Sequence, residues 1–136
     1  MASIRKEALI QNHPDTVWDA VRDVGAVHQR LAPGFVLDCR MEVAPRARVV
    51  TFANGLVARE LIVDVDDDAR RLVWAVVGGR LTHHNASMQV FAAGAQHTCV
   101  VWQADLLPDE LAATVAGMIE QSLATMKATL EMRAAA

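Results

Sequence analysis

The chain has 136 residues, of which 53% are hydrophobic and 21% charged, and its formal net charge is -3. This composition predicts one globular domain over residues 1–136 with its own core. The negative charge disfavours nucleic-acid binding, because phosphate recognition needs a basic face and no basic cluster exceeds Arg70-Arg71. No apolar run approaches the ~20 residues that span a bilayer, and no apolar stretch follows the charged N-terminus. We therefore expect a cytoplasmic protein that does not insert into membranes.

Strands dominate the first three quarters of the chain. The alternation from Ser3 to Gln11 predicts a strand with one buried face. Two short helices follow, one opening at Pro14, where proline suits the first helical position, and one over about 26–31. Asn54-Gly55 between two apolar runs is a strong hairpin signal. Six further strands are predicted, at about 35–43, 48–53, 56–65, 71–77, 81–92 and 97–107.

The last quarter predicts one long amphipathic helix. Apolar and small residues recur there at spacings of three and four: Leu111, Val115, Met118, Ser122, Met126 and Leu130. From Asp109 to Met132 this helix would reach about 35 Å at ~1.5 Å per residue, enough to cross a whole sheet. An antiparallel sheet can leave one face open for such a helix. The pattern indicates an α+β fold in which about seven strands curve around the helix and leave a cavity beneath it.

No motif predicts a metal or a cofactor. The triplet Asp66-Asp67-Asp68 is interpreted as a solvated hairpin turn, since no glycine and distal glutamate place ligands around it. Cys39 and Cys99 lie far apart in apolar strands and are expected to be reduced, buried thiols. The sequence contains no glycine-rich phosphate loop.

The order of these elements carries a family resemblance. The matching stretches are His13 to Trp18, Asn54-Gly55 followed by Arg59-Glu60-Leu61, Asp66 to Asp68, Val76 to Gly79, and Val101-Trp102. Together they resemble the START-like, helix-grip superfamily also labelled SRPBCC, and within it the small bacterial proteins of the polyketide cyclase/dehydrase type. The resemblance implies a cavity for a hydrophobic ligand between the sheet and the last helix.

The plant abscisic-acid receptors of this superfamily match less well. Ala53 to Leu56 is too short to replace their gate loop, and Gly79 is followed directly by Arg80-Leu81, without the latch histidine. Abscisic-acid sensing is therefore not implied.

Glu60 is the first candidate for chemistry. It shares a strand side with Leu56, Ala58 and Ile62, and the resemblance turns that side toward the cavity. Burial of a carboxyl group among apolar neighbours favours its neutral form, which suits a general acid or base, or an acceptor for a ligand hydroxyl. The alternative is that Glu60 pairs with an arginine such as Arg40 or Arg80, or faces water.

His84 is the second candidate. His83 and His84 are strand neighbours that point to opposite faces, so they cannot share one metal ion within the sheet. The resemblance turns His84 inward, on the side of Ala86 and Met88. A hydrogen-bonded wall residue is a more frequent role for such a histidine than catalysis.

The remaining candidate ligand-binding residues are mostly apolar. They are Val50, Phe52, Ala58, Trp74, Val76, Leu81, Ala86, Met88, Val101, Gln103, Val115, Met118 and Ser122. Walls of this kind match an apolar pocket with a few polar groups, although the same residues could simply fill the core. Trp18 and Trp102 are interpreted as structural core.

Three functions follow as hypotheses. The first is binding of a small hydrophobic, lipid- or polyketide-like molecule. The second is a cyclase, aromatase or dehydratase that uses Glu60 and His84 as acid–base groups. The third is a protein-interaction module with a filled cavity. A homodimer is compatible with each of them.

Overall fold

The computed structural model describes residues 1–135 and shows a seven-stranded antiparallel sheet with a long C-terminal helix. The strands are β1 (Ala2–Ile10), β2 (Val36–Val43), β3 (Arg46–Phe52), β4 (Val57–Asp66), β5 (Arg71–Val77), β6 (His83–Ala92) and β7 (Thr98–Leu107). The helices are α1 (Pro14–Arg22) and α2 (Ala112–Ala135). The predicted α+β helix-grip architecture is confirmed.

The sheet follows the chain from hairpin to hairpin. Its order is β1-β7-β6-β5-β4-β3-β2, so β1 pairs with β7 across the chain and β2 lies at the other edge. Every pairing is antiparallel. Such a sheet needs a cover on only one face, and α2 provides it.

The segment between β1 and β2 holds one helix and a tighter turn. His13 caps α1, since its Nδ1 accepts a hydrogen bond from the Asp15 backbone N–H, and Pro14 occupies the first turn. The second predicted helix is a single π-turn at Val27–Leu31. A one-turn π segment is the usual size of that structure, which is rarely longer.

Asp67 has a structural role in the acidic turn between β4 and β5. Its carboxylate accepts hydrogen bonds from the Trp18 indole Nε1 at 2.9 Å and from the Arg22 Nε at 2.8 Å. The turn is thereby fastened to α1, and the Arg22 guanidinium together with the indole holds the pKa of the Asp67 carboxyl below its usual value.

Helix α2 divides into two halves with different surroundings. Its C-terminal half buries Leu123 and Leu130 in the main core, and Met126 both belongs to that core and lines the cavity. In its N-terminal half, Val115 and Met118 are only half-buried, because they face a cavity rather than packed side chains. Between residues 1 and 135, no helix is long and apolar enough to cross a membrane.

The β3–β4 hairpin does not have the strand register that a two-residue turn at Asn54-Gly55 would produce. Such a turn would place Leu61 opposite Arg48. The observed ladder pairs Thr51 with Val57 and thereby places Glu60 opposite Arg48. This shift by one residue brings the two charged side chains together.

Candidate functional site

A cavity of about 350 Å³ lies between the inner face of the sheet and the N-terminal half of α2. Its walls come from strands β2 to β7, the π-turn and the helix. Its mouth is formed by exposed residues of the β3–β4 turn, the β5–β6 loop and the first turns of α2, namely Leu56, Val57, Gly78, Gly79, Arg80 and Thr114. We call these six residues the mouth.

Most predicted site residues lie on the cavity wall. They are Val50, Phe52, Ala58, Glu60, Trp74, Val76, Leu81, His84, Met88, Val115, Met118 and Ser122. Strand alternation, with the family resemblance to choose the side, therefore placed these residues of β3, β4 and β5 on the inner face. Whether these residues bind a ligand stays a prediction.

Three predicted residues do not line the cavity. Val101 and Gln103 belong to the other face of β7, where Gln103 is exposed. Ala86 lies on the side of His84 and Met88, but it is packed within the main core.

The inner face of β7 instead carries the even-numbered residues. Trp102 packs against the main core, as expected, but it also lines the cavity and packs edge-to-face against Trp74, with ring centroids 5.3 Å apart. The signal was present in the sequence. Val100, Trp102 and Ala104 form an unbroken apolar series, whereas the alternate series contains Gln103 and Asp105.

A buried ion pair forms the most polar part of the wall. The Arg48 Nε donates to the Glu60 Oε1 at 2.7 Å, and both side chains are almost completely buried. Glu60 therefore has an arginine partner, as the alternative interpretation required, but the partner is Arg48 rather than Arg40 or Arg80. Sequence reasoning missed Arg48, although it lies two residues before Val50 and therefore on the same side of the predicted strand.

Arg48 is held in place from three directions. Besides its bond to Glu60, its Nη1 donates to the Val24 carbonyl oxygen at 3.1 Å. Its guanidinium carbon lies 5.6 Å from the centroid of the Trp74 ring, within the range of a cation–π contact. A planar guanidinium with several fixed partners is a rigid wall element rather than a mobile charge.

His84 is held by the backbone of the neighbouring strand. The paired ladder between β5 and β6 extends from Arg71 to Trp74, and beyond it the Val76 N–H donates to the His84 Nδ1 at 3.0 Å. Burial, with a smaller contribution from the charge of His83, lowers the pKa of His84 to about 4. The imidazole is consequently neutral at pH 7, and because Nδ1 accepts a hydrogen bond, Nε2 carries the proton.

Glu60 and His84 lie on either side of one residue. Val76 is the ladder partner of Glu60 on β4, and its N–H binds the His84 ring. Among residues 1–135, the structure shows no hydrogen bond at the Glu60 Oε2 or at the His84 Nε2. The wall thus offers a cavity ligand an acceptor at Glu60 and a donor at His84 in neighbouring positions, together with the Ser122 hydroxyl on α2.

The other reactive residue types lie outside this arrangement. Cys39 and Cys99 are free, half-buried thiols, and burial raises the pKa of both, which opposes formation of the nucleophilic thiolate. Within the described residues there is no group of three or more histidine, cysteine or acidic side chains that could hold a metal ion.

The sequence of the chain matches a family model over residues 1–131. That model is described as polyketide cyclase / dehydrase and lipid transport. The chain belongs to this family. The START-like resemblance is thereby confirmed, and with it a ligand-binding or cyclase-type fold. No curated protein matches the chain.

Solved structures agree with the family at the level of the fold. A protein from Thermobifida fusca is 26% identical with a TM-score of 0.79, over 98% of this chain and 93% of the other. The di-domain ARO/CYC BexL from the BE-7585A biosynthetic pathway is 19% identical with a TM-score of 0.82, over 96% of this chain and 47% of the other. Norcoclaurine synthase from Thalictrum flavum, in complex with dopamine and hydroxybenzaldehyde, is 17% identical with a TM-score of 0.72, over 97% and 85%.

Proposed function

We propose that the protein binds a small, mainly apolar molecule in the cavity beneath α2. The observation that supports this most is the composition of the wall, whose inner part is apolar except for the Arg48–Glu60 pair, His84 and the Ser122 hydroxyl. Ligand pockets commonly combine an apolar lining with a few placed polar groups. The family description, which includes both cyclases and lipid transport, is consistent with this proposal.

The cavity volume narrows the size of the ligand. About 350 Å³ is near the lower end of the roughly 300–1,000 Å³ that is usual for small-molecule sites. A compact molecule of one to three rings fits such a space better than a long acyl chain. The complex of norcoclaurine synthase with dopamine and hydroxybenzaldehyde is an example of small aromatic ligands on the same fold.

The protonation and the hydrogen bonds of His84 and Glu60 favour ligand binding over acid–base catalysis. The His84 Nε2 carries a proton and its Nδ1 is occupied by the Val76 N–H, so the neutral ring can donate a hydrogen bond but has no free basic nitrogen. The Glu60 carboxylate is already engaged by a guanidinium. Both groups suit the recognition of a polar group on a ligand.

A cyclase or dehydratase is the second candidate, supported by the position of Glu60 and His84 beside one residue. In this mechanism the Glu60 carboxylate would remove a proton next to a carbonyl group, and the His84 Nε2–H would stabilise the developing oxyanion. The experiment that separates the two candidates is Glu60→Gln. An enzyme would lose turnover and keep ligand affinity, whereas a binding protein would change only in affinity.

A neutral fluorescent probe tests the binding proposal. N-phenyl-1-naphthylamine should bind the wild type with enhanced emission. Val115→Trp, which fills the cavity from α2, should weaken binding at least about tenfold. The matched control is Val63→Trp, since Val63 is 56% exposed and does not line the cavity.

The outcomes of this titration are distinct. Loss of binding in Val115→Trp with normal binding in Val63→Trp supports an internal site. Equal affinities in all three proteins would contradict it. No binding by the wild type would favour the protein-interaction module instead.

A further inference from the structure

The charges on the cavity wall are balanced before any ligand enters. Arg48 and Glu60 form one buried pair, with side chains 6% and 11% exposed. His84, the remaining titratable group of the inner wall, is neutral at pH 7. The inner wall therefore has no net charge.

A charged ligand would disturb this balance. Transfer of a carboxylate or an ammonium group from water into an apolar site is costly unless an opposite charge is free to receive it. Arg48 already pairs with Glu60, so a second carboxylate there would meet the negative charge of Glu60. An ammonium group beside Glu60 would in turn meet the guanidinium of Arg48.

Arg80 does not change this conclusion. It is the other charged residue that borders the cavity, and it lies exposed at the mouth. A charge in contact with bulk water is screened and contributes little to the binding of an ion farther inside.

The free hydrogen-bonding atoms add a second condition. The His84 Nε2–H needs an acceptor, and the Glu60 Oε2 needs a donor. We propose that this site, taken as the ligand site of the proposed function, selects uncharged molecules that carry an acceptor for His84 and a donor for Glu60, and excludes their carboxylate and ammonium analogues. A neutral ring compound with a hydroxyl group, alone or beside a carbonyl group, meets both conditions.

Three naphthalene probes test the charge condition without any mutation. At pH 7.5, 2-naphthol is neutral, 2-naphthoate is anionic and 2-naphthylmethylammonium is cationic. We expect 2-naphthol to bind the wild type at least about tenfold more tightly than either ion, measured by calorimetry or by displacement of N-phenyl-1-naphthylamine. Equal or tighter binding of either ion would overturn the proposal.

Removal of one charge of the Arg48–Glu60 pair should shift the selectivity toward a ligand whose charge is opposite to the one that remains. Glu60→Gln leaves a buried positive charge, so the ratio of naphthoate to naphthol affinity should rise at least about tenfold. Arg48→Gln leaves a negative charge and should favour the ammonium probe. The double variant removes both charges and should restore the preference for naphthol, which also controls for damage to the fold. Unchanged ratios in both single variants would overturn the proposal.

His84 is tested with 2-acetylnaphthalene, which has an acceptor and no donor. The amide nitrogen of glutamine can take the place of Nε2, whereas asparagine can take the place of Nδ1. We expect His84→Gln to retain affinity and His84→Asn to lose about three- to tenfold, the range of one hydrogen bond. Equal affinities in both variants would show that the Nε2–H is not used.

Failure of this inference differs from failure of the proposed function. If N-phenyl-1-naphthylamine binds inside the cavity and the three naphthalene probes bind alike, the binding site stands and its selectivity for uncharged ligands is refuted. If neither N-phenyl-1-naphthylamine nor any naphthalene probe binds, the proposed function itself is refuted.

Discussion

His84 shows how one backbone contact determines the chemistry of a side chain. The Val76 N–H lacks a strand partner where β6 leaves the ladder, and the imidazole accepts its hydrogen bond instead. A buried N–H without a partner would cost about 1–3 kcal/mol, so His84 stabilises the sheet as well as bordering the cavity. This bond requires an unprotonated Nδ1, so the stability that it contributes should depend on pH.

The stability contributed by neutral His84 should be lost in acid. Its pKa is about 4 in the folded chain and about 6.5 in an unfolded one, so between these values the unfolded chain binds a proton that the folded chain does not. Stability is therefore complete above pH 6.5 and falls as the pH drops toward 4. Between pH 7.5 and 4.5 the stability advantage of wild type over His84→Asn should shrink by about 2–3 kcal/mol, measured by urea unfolding. Val63→Ala, at an exposed position without a titratable group, is the control, and its stability difference from the wild type should not change with pH.

The sequence identified Glu60 and His84 but not how they are held. Alternation along a strand is a local property that sorts residues into two faces, and the family resemblance identified the inner one for both residues. The partner of Glu60, in contrast, depends on the register between β3 and β4. A two-residue turn at Asn54-Gly55 predicts a register that differs by one residue from the observed one. Arg48 could therefore be predicted as an inner residue, but its pairing with Glu60 could not.

Packing differs between the two halves of α2. Its C-terminal half lies in the main core and contacts β1. Its N-terminal half borders empty space. Side-chain truncation should therefore have unequal effects on the two halves.

Leu130→Ala should destabilise the protein by about 2–5 kcal/mol, because Leu130 is 2% exposed and its removal leaves a void in packed core. Met118→Ala should cost less than about 1.5 kcal/mol, since the lost atoms already faced a cavity. Met132, which is 69% exposed, provides the near-neutral control Met132→Ala. Denaturant unfolding measures all three, and equal losses at positions 118 and 130 would mean that the cavity is not open in solution.

The order of the elements was predictable from the sequence, but the side of β7 that faces the cavity was predicted wrongly. Turn signals and apolar periodicity gave the seven strands and α2 with small errors at their ends. On β7 both faces carry apolar residues, so Val101 was assigned to the cavity in place of Trp102. The odd series contains Gln103 and Asp105, and weighing those polar residues would have resolved the ambiguity.

At the scale of the whole molecule, the mouth and the opposite end of α2 have contrasting structures. The mouth consists of turns and loops with exposed residues. At the other end, the Asn12 Nδ2 donates to the Leu130 carbonyl oxygen at 2.8 Å, and the Thr98 Oγ1 donates to the Asn12 carbonyl oxygen at 2.8 Å. One buried asparagine thus joins the end of β1, the start of β7 and the last turns of α2. This arrangement keeps the helix on the sheet while leaving the other end accessible.

Asn12→Ala should therefore weaken the fold without altering the ligand site. The variant removes the side-chain donor to the Leu130 carbonyl oxygen and the acceptor of the His13 N–H, so we expect a loss of about 1–3 kcal/mol in the free energy of unfolding. Affinity for 2-naphthol under folding conditions should stay within about twofold of wild type, because Asn12 does not border the cavity. Urea unfolding and calorimetry on the same preparation measure both quantities. A large drop in affinity at unchanged stability would mean that the two ends of α2 are not independent, and that the helix moves as one body when a ligand enters.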